Sequence, residues 1–315
     1  MSRRYILISP CRNEETYIQT TIDSIANQSL LPSKWLIVDD GSTDKTPDII
    51  AAAARKYPFI KVIRRDNRGK RSVGPGVIEA FYAGYDTIAP TEYDYVCKLD
   101  VDLDIPPTYF QQLIKRMEAN PRIGTCSGKP YFPDKSGNLV SERCGDETSV
   151  GMVKFYRTAC FEQIGGFVRQ VMWDGIDCHR CRMKGWIACS WDDAELRFIH
   201  LRPMGSSHKN IFRGRLRHGA GQYFMGTGLA YMMISALYRI TTPPCVLGGL
   251  MMLIGYVKSM LTQQERYDDL EFRNFLHQYQ WQCLIKGKHQ ATLELNEYQA
   301  KQWSRQGQHL GTLDY

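Results

Sequence analysis

The sequence lacks the long apolar segments that mark secreted and membrane-spanning proteins. Its first residues, MSRRYILISPCRNEE, contain no long apolar core ending in small residues, so they do not resemble a signal peptide. The two most apolar stretches, residues 229–238 and 245–257, are each shorter than the ~20 residues that a spanning helix requires. We therefore expect the chain to lie in the cytoplasm, where its ten cysteines would stay reduced.

Closely spaced cysteines are also scarce. Cys178 and Cys181 are the one close pair, and no second pair follows at the spacing of a zinc site. A structural zinc is therefore the weaker interpretation, and we expect both thiols to be buried on a helix. The chain also contains no internal repeat and no low-complexity tract.

The composition is that of a folded protein. Hydrophobic residues make up 43% of the chain and charged residues 23%, which is typical of globular domains. A length of 315 residues allows one large domain or two small ones with a substantial core. The formal charge of +7 could serve contacts with nucleic acid, with nucleotide phosphates or with an anionic membrane.

Strand-like and helix-like segments alternate over the first 130 residues. The predicted strands are residues 5–9, 35–38, 59–63 and 95–99. The predicted helices are residues 14–28, 44–56, 77–85 and 107–119. Further along, residues 129–147 look loop-rich, and residues 150–156 and 196–200 look like strands. This alternation predicts an α/β fold with a mostly parallel sheet and helices on both faces.

Polar residues follow three of the predicted strands. The first strand runs into PCRNE at residues 10–14, the second into DDGS at 39–42 and the fourth into DVDLD at 100–104. Open α/β sheets bind their ligands in the crevice beyond the carboxyl ends of the strands. The sequence therefore predicts one site at which the three polar segments converge.

Asp100, Asp102 and Asp104 occupy alternate positions after the fourth strand. In an extended chain alternate side chains share a face, so two of these carboxylates could meet one cation. Oxygen ligands suit Mg²⁺ or Mn²⁺, with phosphate oxygens completing the coordination shell. The alternative is a solvated acidic turn, but the position opposite another acidic strand end favours a metal site.

Two further loops could contact a nucleotide. Asp40 could reach a ribose or a base edge, whereas Asp44 could simply cap the helix that follows. Residues 66–71 bring Arg68, Lys70 and Arg71 together before a helix, which suits neutralisation of a diphosphate. A solvated basic turn is an equally good interpretation of these three cations.

Asp174 and Asp177 lie three residues apart at the start of a predicted helix, and one of them could act as a general base. The alternative is that they provide favourable charge at a helix N-terminus. His200 follows an apolar strand and could ligate the metal, although a lone histidine is more often structural.

The order and spacing of six motifs resemble the family 2 glycosyltransferases. The motifs are ISPCRNEE, LIVDDGSTD, KLDVDLDIP, IGGF, WDGID and MKGW, and the match runs from about residue 5 to residue 205. Because these enzymes have the GT-A fold, the resemblance implies a GT-A catalytic domain over residues 1–205. Its nucleotide-binding half would span about residues 1–105, and its acceptor half about residues 106–205.

The resemblance also implies roles for individual residues. It assigns Pro10, Arg12, Glu14 and Asp40 to the nucleoside site, Asp100 and Asp102 to donor and metal, and His200 to the metal or diphosphate. Asp174 would be the catalytic base, because it stands where the family usually has the Asp of a Glu-Asp pair. Trp173 replaces that Glu here, which leaves Asp177 as the alternative base.

The implied reaction moves a sugar from a nucleotide-diphosphate sugar, with a UDP-sugar as the first expectation, to a glycan or lipid-linked acceptor. Mg²⁺ or Mn²⁺ and nearby cations would stabilise the departing diphosphate. Direct displacement would invert the anomeric centre. Many family members make cell-surface polysaccharides or lipid-linked glycans, so the resemblance points to cell-surface or exopolysaccharide synthesis.

Residues 206–315 are predicted to form a basic and apolar helical extension that contacts a membrane surface. Residues 197–218 contain six Lys and Arg residues and no Asp or Glu. The apolar segments follow directly, and they are of a length suited to helices that lie on the membrane or form a short hairpin. An anionic membrane surface on the cytoplasmic side is therefore the expected partner.

Two other functions compete with sugar transfer. A sugar nucleotidyltransferase usually has a Gly-rich loop after its first strand, and here residues 9–13, SPCRN, contain no glycine. A non-catalytic membrane-binding or nucleotide-binding module is the second alternative. Nucleic acid is not an expected partner, because the acidic strand ends would repel its phosphates unless a metal were bound.

Overall fold

The computed structural model describes residues 3–67, 69, 74–134, 136–202, 211–239 and 247–309. The chain forms two compact units. The first unit comprises Met1–Cys178 and Ala188–Met204, and the second comprises His179–Ile187 and Gly205–Tyr315.

Eleven strands are present among the described residues. They are β1 (Tyr5–Cys11), β2 (Lys34–Asp39), β3 (Ile60–Arg64), β4 (Tyr95–Leu99), β5 (Leu103–Asp104), β6 (Ile123–Ser127), β7 (Lys129–Pro133), β8 (Leu139–Ser141), β9 (Val153–Arg157), β10 (Ile187–Ser190) and β11 (Arg197–His200). Seven of them form a central sheet in the order β10-β6-β9-β4-β1-β2-β3. The other four form a smaller sheet in the order β5-β11-β7-β8.

The central sheet is parallel on one side and mixed on the other. Strand β1 is parallel to β2 and β4, and β2 is parallel to β3. Strand β9 is antiparallel to both of its neighbours, β4 and β6. The four strands predicted in the first 100 residues are therefore confirmed as the parallel part of an α/β fold.

Six helices belong wholly or in part to the first unit. They are α1 (Ile18–Ala26), α2 (Thr46–Lys56), α3 (Pro75–Tyr85), α4 (Tyr109–Ala119), α5 (Thr158–Gln163) and α6 (Trp173–Met183). In α1 the helically spaced Ile18, Ile22 and Ile25 are fully buried, as their spacing predicts. Because residues 5–8 of β1 are also fully buried, the core of the unit lies around the middle of the central sheet.

The second unit is helical. Its helices are α7 (Ile211–Met225), α8 (Leu229–Tyr238), α9 (Leu247–Leu261), α10 (Leu270–Lys286) and α11 (Lys288–His309). Helices α7 and α9 pack with their backbones in contact, because a Cβ on Gly255 would lie 2.1 Å from the carbonyl oxygen of Leu216. Within the described parts of the chain, no helix is long and apolar enough to cross a membrane.

Several strands were not predicted from the sequence. Residues 129–147 were expected to be loop-rich, yet they contain β7 and β8. Strand β7 has a proline near each end and β8 has three residues, so neither displays a readable alternation. The expectation of an extended DVDLD segment was also wrong, because only Leu103–Asp104 is extended and residues 101–102 form a bend.

The cysteine prediction is confirmed. Cys178 and Cys181 are fully buried on α6. The division into a catalytic domain over residues 1–205 and an extension over residues 206–315 stays a prediction about function.

Candidate active site

The carboxyl ends of β4, β1 and β2 lie side by side at one edge of the central sheet. The order β4-β1-β2 and the parallel pairing of these strands bring the segments that follow them to the same edge. The predicted convergence of residues 10–14, 39–42 and 100–104 is therefore confirmed. Pro10 is part of this edge, since it pairs with Val38 near the ends of β1 and β2.

Arg12 and Asp40 lie together at this edge of the sheet. The Arg12 guanidinium donates hydrogen bonds to the Asp40 carbonyl oxygen at 2.7 Å and to Asn67 Oδ1 at 2.7 Å. The buried Asp40 carboxylate also accepts a 2.9 Å hydrogen bond from Arg65. Arg65 therefore holds a buried carboxylate at the strand end, with the Arg12 guanidinium 4.0 Å from its other oxygen, and a ligand hydroxyl or amino group could donate to it.

The loop after β2 is tied to the loop after β1 by short polar bonds. The backbone N–H of Asn13 donates to Ser42 Oγ at 2.9 Å, and Thr43 N–H donates to Asn13 Oδ1 at 2.8 Å. Asp44 accepts from the backbone N–H of Thr46, the first residue of α2, at 3.0 Å. Asp44 therefore stabilises the start of α2 through its first residue, although the N-cap position that the sequence suggested for Asp44 is occupied by Lys45.

Arg202 joins the end of β1 to the DVD segment. Its guanidinium lies 2.9 Å from Glu14 Oε1 and 2.5 Å from Asp102 Oδ2, and both carboxylates are buried. Burial alone would raise the pKa of Asp102, but His200 and Arg202 outweigh it and lower that pKa. Asp102 is therefore ionised and neutralised by neighbouring cations.

His200 lies between two carboxylates. Its Nε2 is 3.4 Å from Asp102 Oδ2, and its Nδ1 is 3.1 Å from Glu142 Oε2. Burial lowers the pKa of His200, but the hydrogen bonds to Asp102 and Glu142 raise it to about 9 on balance. In this arrangement the imidazole is protonated at neutral pH and acts as a cation.

A buried lysine contacts the side chain of Asp100. Lys98 Nζ lies 2.5 Å from Asp100 Oδ1 and donates to the carbonyl oxygen of Gly151 at 2.8 Å. The Asp100 side chain is 32% exposed, so it keeps access to solvent and ligands. Lost solvation raises the pKa of Asp100, Lys98 opposes that rise, and the charge of nearby Asp102 adds to it.

Asp174 and Asp177 differ in exposure. Asp174 is exposed in the first turn of α6, and one of its carboxylate oxygens would lie 3.0 Å from a Cβ placed on Gly151. Asp177 is buried and accepts hydrogen bonds from Lys154 at 2.8 Å and from the Tyr156 hydroxyl at 2.5 Å. Asp174 is therefore the accessible carboxylate of the two.

The predicted site residues fall into separate groups. Asp40 and Arg12 lie together at the ends of β1 and β2, whereas Glu14, Asp102 and His200 are joined through Arg202 and shared hydrogen bonds. Asp174 lies beside Gly151, and Lys98 contacts both Asp100 and the carbonyl oxygen of Gly151. Asp177 is turned into the core, and Arg68 and Lys70 lie outside the described residues.

Several residues of the site were missed by sequence reasoning. They are Arg65, Asn67, Lys98, Glu142, Lys154 and Arg202. For two of them a signal was present, because Lys98 and Lys154 interrupt the apolar strands YVCKL and VKFYR. A lysine inside a buried strand needs a partner, and this need points to a nearby carboxylate.

The residues after β4 include candidate ligands for a divalent cation. Among the described residues, no group of three or more His, Cys, Asp and Glu side chains forms a ready metal site. The chemistry of the donors is nevertheless suitable, since Asp100 is partly exposed and Asp102 lies 3.4 Å from His200 Nε2. Two atoms that bind one cation at ~2.1 Å and at right angles lie ~3 Å apart. The 3.4 Å between Asp102 Oδ2 and His200 Nε2 is close to this spacing, so these two side chains fit such a cation once His200 has lost its proton, and the partly exposed Asp100 offers a further oxygen ligand.

A relative with a named activity matches part of the chain. Poly-beta-1,6-N-acetyl-D-glucosamine synthase of Staphylococcus epidermidis is 29% identical over 130 residues, which cover 41% of this chain and 29% of that protein. The matched region covers between 29% and 52% of the length of the curated relatives, so the chain corresponds to only part of them.

Two solved structures share the fold. A fragment of Staphylococcus aureus TarS, residues 1–349 in complex with UDP-GlcNAc, has a TM-score of 0.51 at 15% identity and covers 96% of this chain and 92% of its own. The mannosyltransferase PcManGT of Pyrobaculum calidifontis, in complex with GDP-Man and Mn²⁺, has a TM-score of 0.51 at 16% identity and covers 95% and 86%. These neighbours are GT-A glycosyltransferases, so the expected GT-A fold is confirmed.

The family follows from the sequence match. Residues 6–170, which contain the ends of β1, β2 and β4, match the model of glycosyl transferase family 2. This match covers more than half of the chain and favours sugar transfer over a sugar nucleotidyltransferase or a non-catalytic module. The chain belongs to glycosyl transferase family 2.

Proposed function

We propose that this protein transfers a sugar, with inversion, from a nucleotide-diphosphate sugar to an acceptor hydroxyl during cell-surface or exopolysaccharide synthesis. The observation that carries the proposal is that Lys98 contacts both the strand-end carboxylate Asp100 and the carbonyl oxygen of Gly151, while the exposed carboxylate Asp174 lies beside Gly151. One carboxylate can then take a proton from the acceptor while the other faces the donor.

A UDP-sugar is the proposed donor. The TarS fragment was solved with UDP-GlcNAc, and the synthase relative is named for a polymer of N-acetyl-D-glucosamine. PcManGT was solved with GDP-Man, which makes a GDP-sugar the alternative. In this chain Arg12 and Asp40 would hold the nucleoside, with Pro10 and Glu14 beside them, and Arg68 and Lys70 would contact the diphosphate.

A divalent cation, Mn²⁺ or Mg²⁺, is the proposed cofactor, and Mn²⁺ is present in the PcManGT complex. Asp100 and Asp102 would hold it, with His200 as a further ligand. Such an ion neutralises the charge that develops on a departing diphosphate. Arg202 supplies positive charge at the same strand end, because it lies next to Asp102.

Asp174 is the proposed base, and Asp177 is the alternative that the geometry disfavours. A general base must reach the proton that it removes. Asp174 is exposed, whereas Asp177 is buried and engaged by Lys154 and Tyr156. Attack by the deprotonated acceptor on the face opposite the diphosphate then inverts the anomeric carbon.

A membrane surface is proposed as the place of action. Helices α8 and α9 expose large apolar side chains, and α7 carries arginines. The exposed apolar residues of α8 and α9 are Leu229, Met233, Ile234, Leu237, Tyr238, Leu247, Leu250, Ile254 and Leu261. The arginines of α7 are Arg213, Arg215 and Arg217. Apolar side chains next to cations suit the interface of an anionic bilayer, here on the cytoplasmic side, where a glycan or lipid-linked acceptor would be met.

The decisive experiment measures nucleotide binding and sugar transfer together. Isothermal titration with UDP, GDP and ADP, each with and without Mn²⁺, should show Mn²⁺-dependent binding of UDP. Release of UDP from UDP-GlcNAc and other UDP-sugars should then depend on an added glycan acceptor. If no nucleoside diphosphate binds with either Mn²⁺ or Mg²⁺, the proposed function is wrong.

A further inference from the structure

Two buried lysines lie directly opposite each other in the central sheet. Lys98 of β4 and Lys154 of β9 are cross-strand partners in the antiparallel pair, so their side chains leave the same face. Their side chains are 2% and 0% exposed. Like charges opposite each other destabilise a sheet, and burial adds a desolvation cost. The surrounding residues must therefore compensate for both charges.

Each lysine has its own acidic partner and its own backbone contact. Lys98 contacts Asp100 and the carbonyl oxygen of Gly151. Lys154 contacts Asp177 and also donates a 2.7 Å hydrogen bond to the carbonyl oxygen of Asp174. Lys98 therefore contacts the side chain of Asp100, the residue proposed to face the donor. Lys154 contacts the backbone carbonyl of Asp174, the proposed base.

The indole ring of Trp173 contacts both lysines. Its ring centroid is 5.2 Å from Lys98 Nζ and 5.9 Å from Lys154 Nζ, within range of a cation–π contact with both. The Trp173 side chain is buried and also packs edge-on against Phe167 at 4.9 Å. Because Trp173 directly precedes Asp174, this packing fixes the start of α6 as well.

We propose that Lys98, Trp173 and Lys154 form a positioning unit that sets the distance between Asp100 and Asp174. Lys98 fixes the carboxylate of Asp100, which is proposed to face the donor. Lys154 anchors the first turn of α6 and with it the base. Neither lysine takes part in proton transfer from the acceptor hydroxyl. This inference rests on the proposed function, because it assigns the two carboxylates the roles given above.

Removing Lys154 alone would leave Asp177 as an unpaired buried charge, which is strongly destabilising. The informative variant is therefore the double substitution Lys154→Met with Asp177→Asn. It removes both charges together, and the new amide can still accept the Tyr156 hydrogen bond. We expect thermal stability to recover relative to Lys154→Met alone, because no unpaired charge remains.

Turnover of the double variant should nevertheless stay low. With UDP affinity in Mn²⁺ unchanged, kcat should fall ~10²-fold, the loss expected when a catalytic group is displaced by about 1 Å. Hydrogen exchange of the first turn of α6 should rise at the same time, since the bond to the Asp174 carbonyl is gone. Recovery of kcat together with stability would show that Lys154 is only structural and would overturn the inference.

Lys129 provides a matched control in the same unit. It is also a buried lysine, with its Nζ 2.7 Å from Asp146 and 2.6 Å from the Cys144 carbonyl, and neither of these partners is a proposed site residue. Lys129→Met should lower stability while leaving kcat per folded molecule unchanged.

Hydrogen exchange separates this inference from the proposed function. If wild-type protein transfers no sugar, the function is wrong, and the exchange of α6 still decides whether Lys154 anchors that helix. Unchanged exchange in the double variant overturns the anchoring role whatever the activity.

Discussion

The two compact units place their large apolar side chains differently. Among the described residues, the first unit exposes four large hydrophobic side chains: Leu31, Val62, Leu139 and Val140. The helical second unit exposes fifteen, and nine of these are on α8 and α9. The first unit therefore leaves few large apolar side chains exposed. The second unit exposes many, and such side chains could contact another surface.

The units also differ in how they use charge. In the first unit, buried charges such as Glu14, Asp102, Lys98 and Lys154 occur in pairs with opposite charges around the candidate site. In the second unit, arginines of α7 accompany an exposed apolar surface. We infer that sugar transfer by the first unit and membrane contact by the second can be lost independently of each other.

The largest effect is expected from Asp102→Ala. This change removes a proposed cation ligand and leaves Arg202 and His200 without their shared carboxylate, so Mn²⁺-dependent UDP binding should be abolished. Asp100→Ala should weaken the same binding. Calorimetry is the measurement, and Asp192→Ala, which removes an exposed carboxylate paired with Arg197, is the control. Unchanged UDP affinity in both site variants would exclude this cation site.

Asp174→Asn should have the next largest effect. The change keeps the size of the side chain and removes its basicity, so kcat should fall by ~10²–10⁴-fold while UDP affinity stays nearly intact. Asp177→Asn should chiefly lower stability, because it removes the charge that neutralises buried Lys154. Normal turnover per folded molecule in Asp174→Asn, together with its collapse in Asp177→Asn, would exchange the two roles.

The second unit is tested by Ile234→Asp with Leu237→Asp. These side chains of α8 are 49% and 62% exposed, and acidic groups there should oppose contact with an anionic bilayer. Binding to vesicles containing phosphatidylglycerol should fall about tenfold or more, while turnover on a soluble acceptor stays normal. Leu139→Asp, at a 52% exposed position in the first unit, is the matched control. Equal vesicle binding by wild type, variant and control would contradict the membrane proposal.

The smallest effect is expected from Asp44→Ala. The variant loses the hydrogen bond to the first residue of α2, and removal of such a helix-start contact costs ~1 kcal/mol of stability. Chemical denaturation should show this loss in the first unit, with vesicle binding unchanged. A tenfold loss of UDP affinity would instead assign Asp44 to the nucleotide site.

The sequence predicted what depends on local pattern. Apolar runs located β1, β2, β3 and β4, and their parallel pairing brought Asp40 and Asp100 to one edge as expected. Helical spacing of Ile18, Ile22 and Ile25 located α1. These features can be read from neighbouring residues alone, because backbone periodicity determines them.

The contacts that the sequence did not predict join segments that are distant along the chain. Arg202 contacts Glu14 across 188 positions of the chain, and nothing near either residue indicates the other. The burial of Asp177 depends on Lys154 of β9, so the sequence alone could not choose between the two candidate bases. Glu142 was hidden for a similar reason, since it lies in a segment that was expected to be loop-rich.

The facing lysines of β4 and β9 also have a consequence for how the chain folds. A slip of one residue between these strands would turn Lys154 to the opposite face of the sheet, away from Asp177. Such a slip would bury a lysine without its carboxylate, and a mispaired sheet would be much less stable than the correct one. The buried lysine pair therefore favours a single register between β4 and β9. That register also determines the position of Asp100, which follows β4.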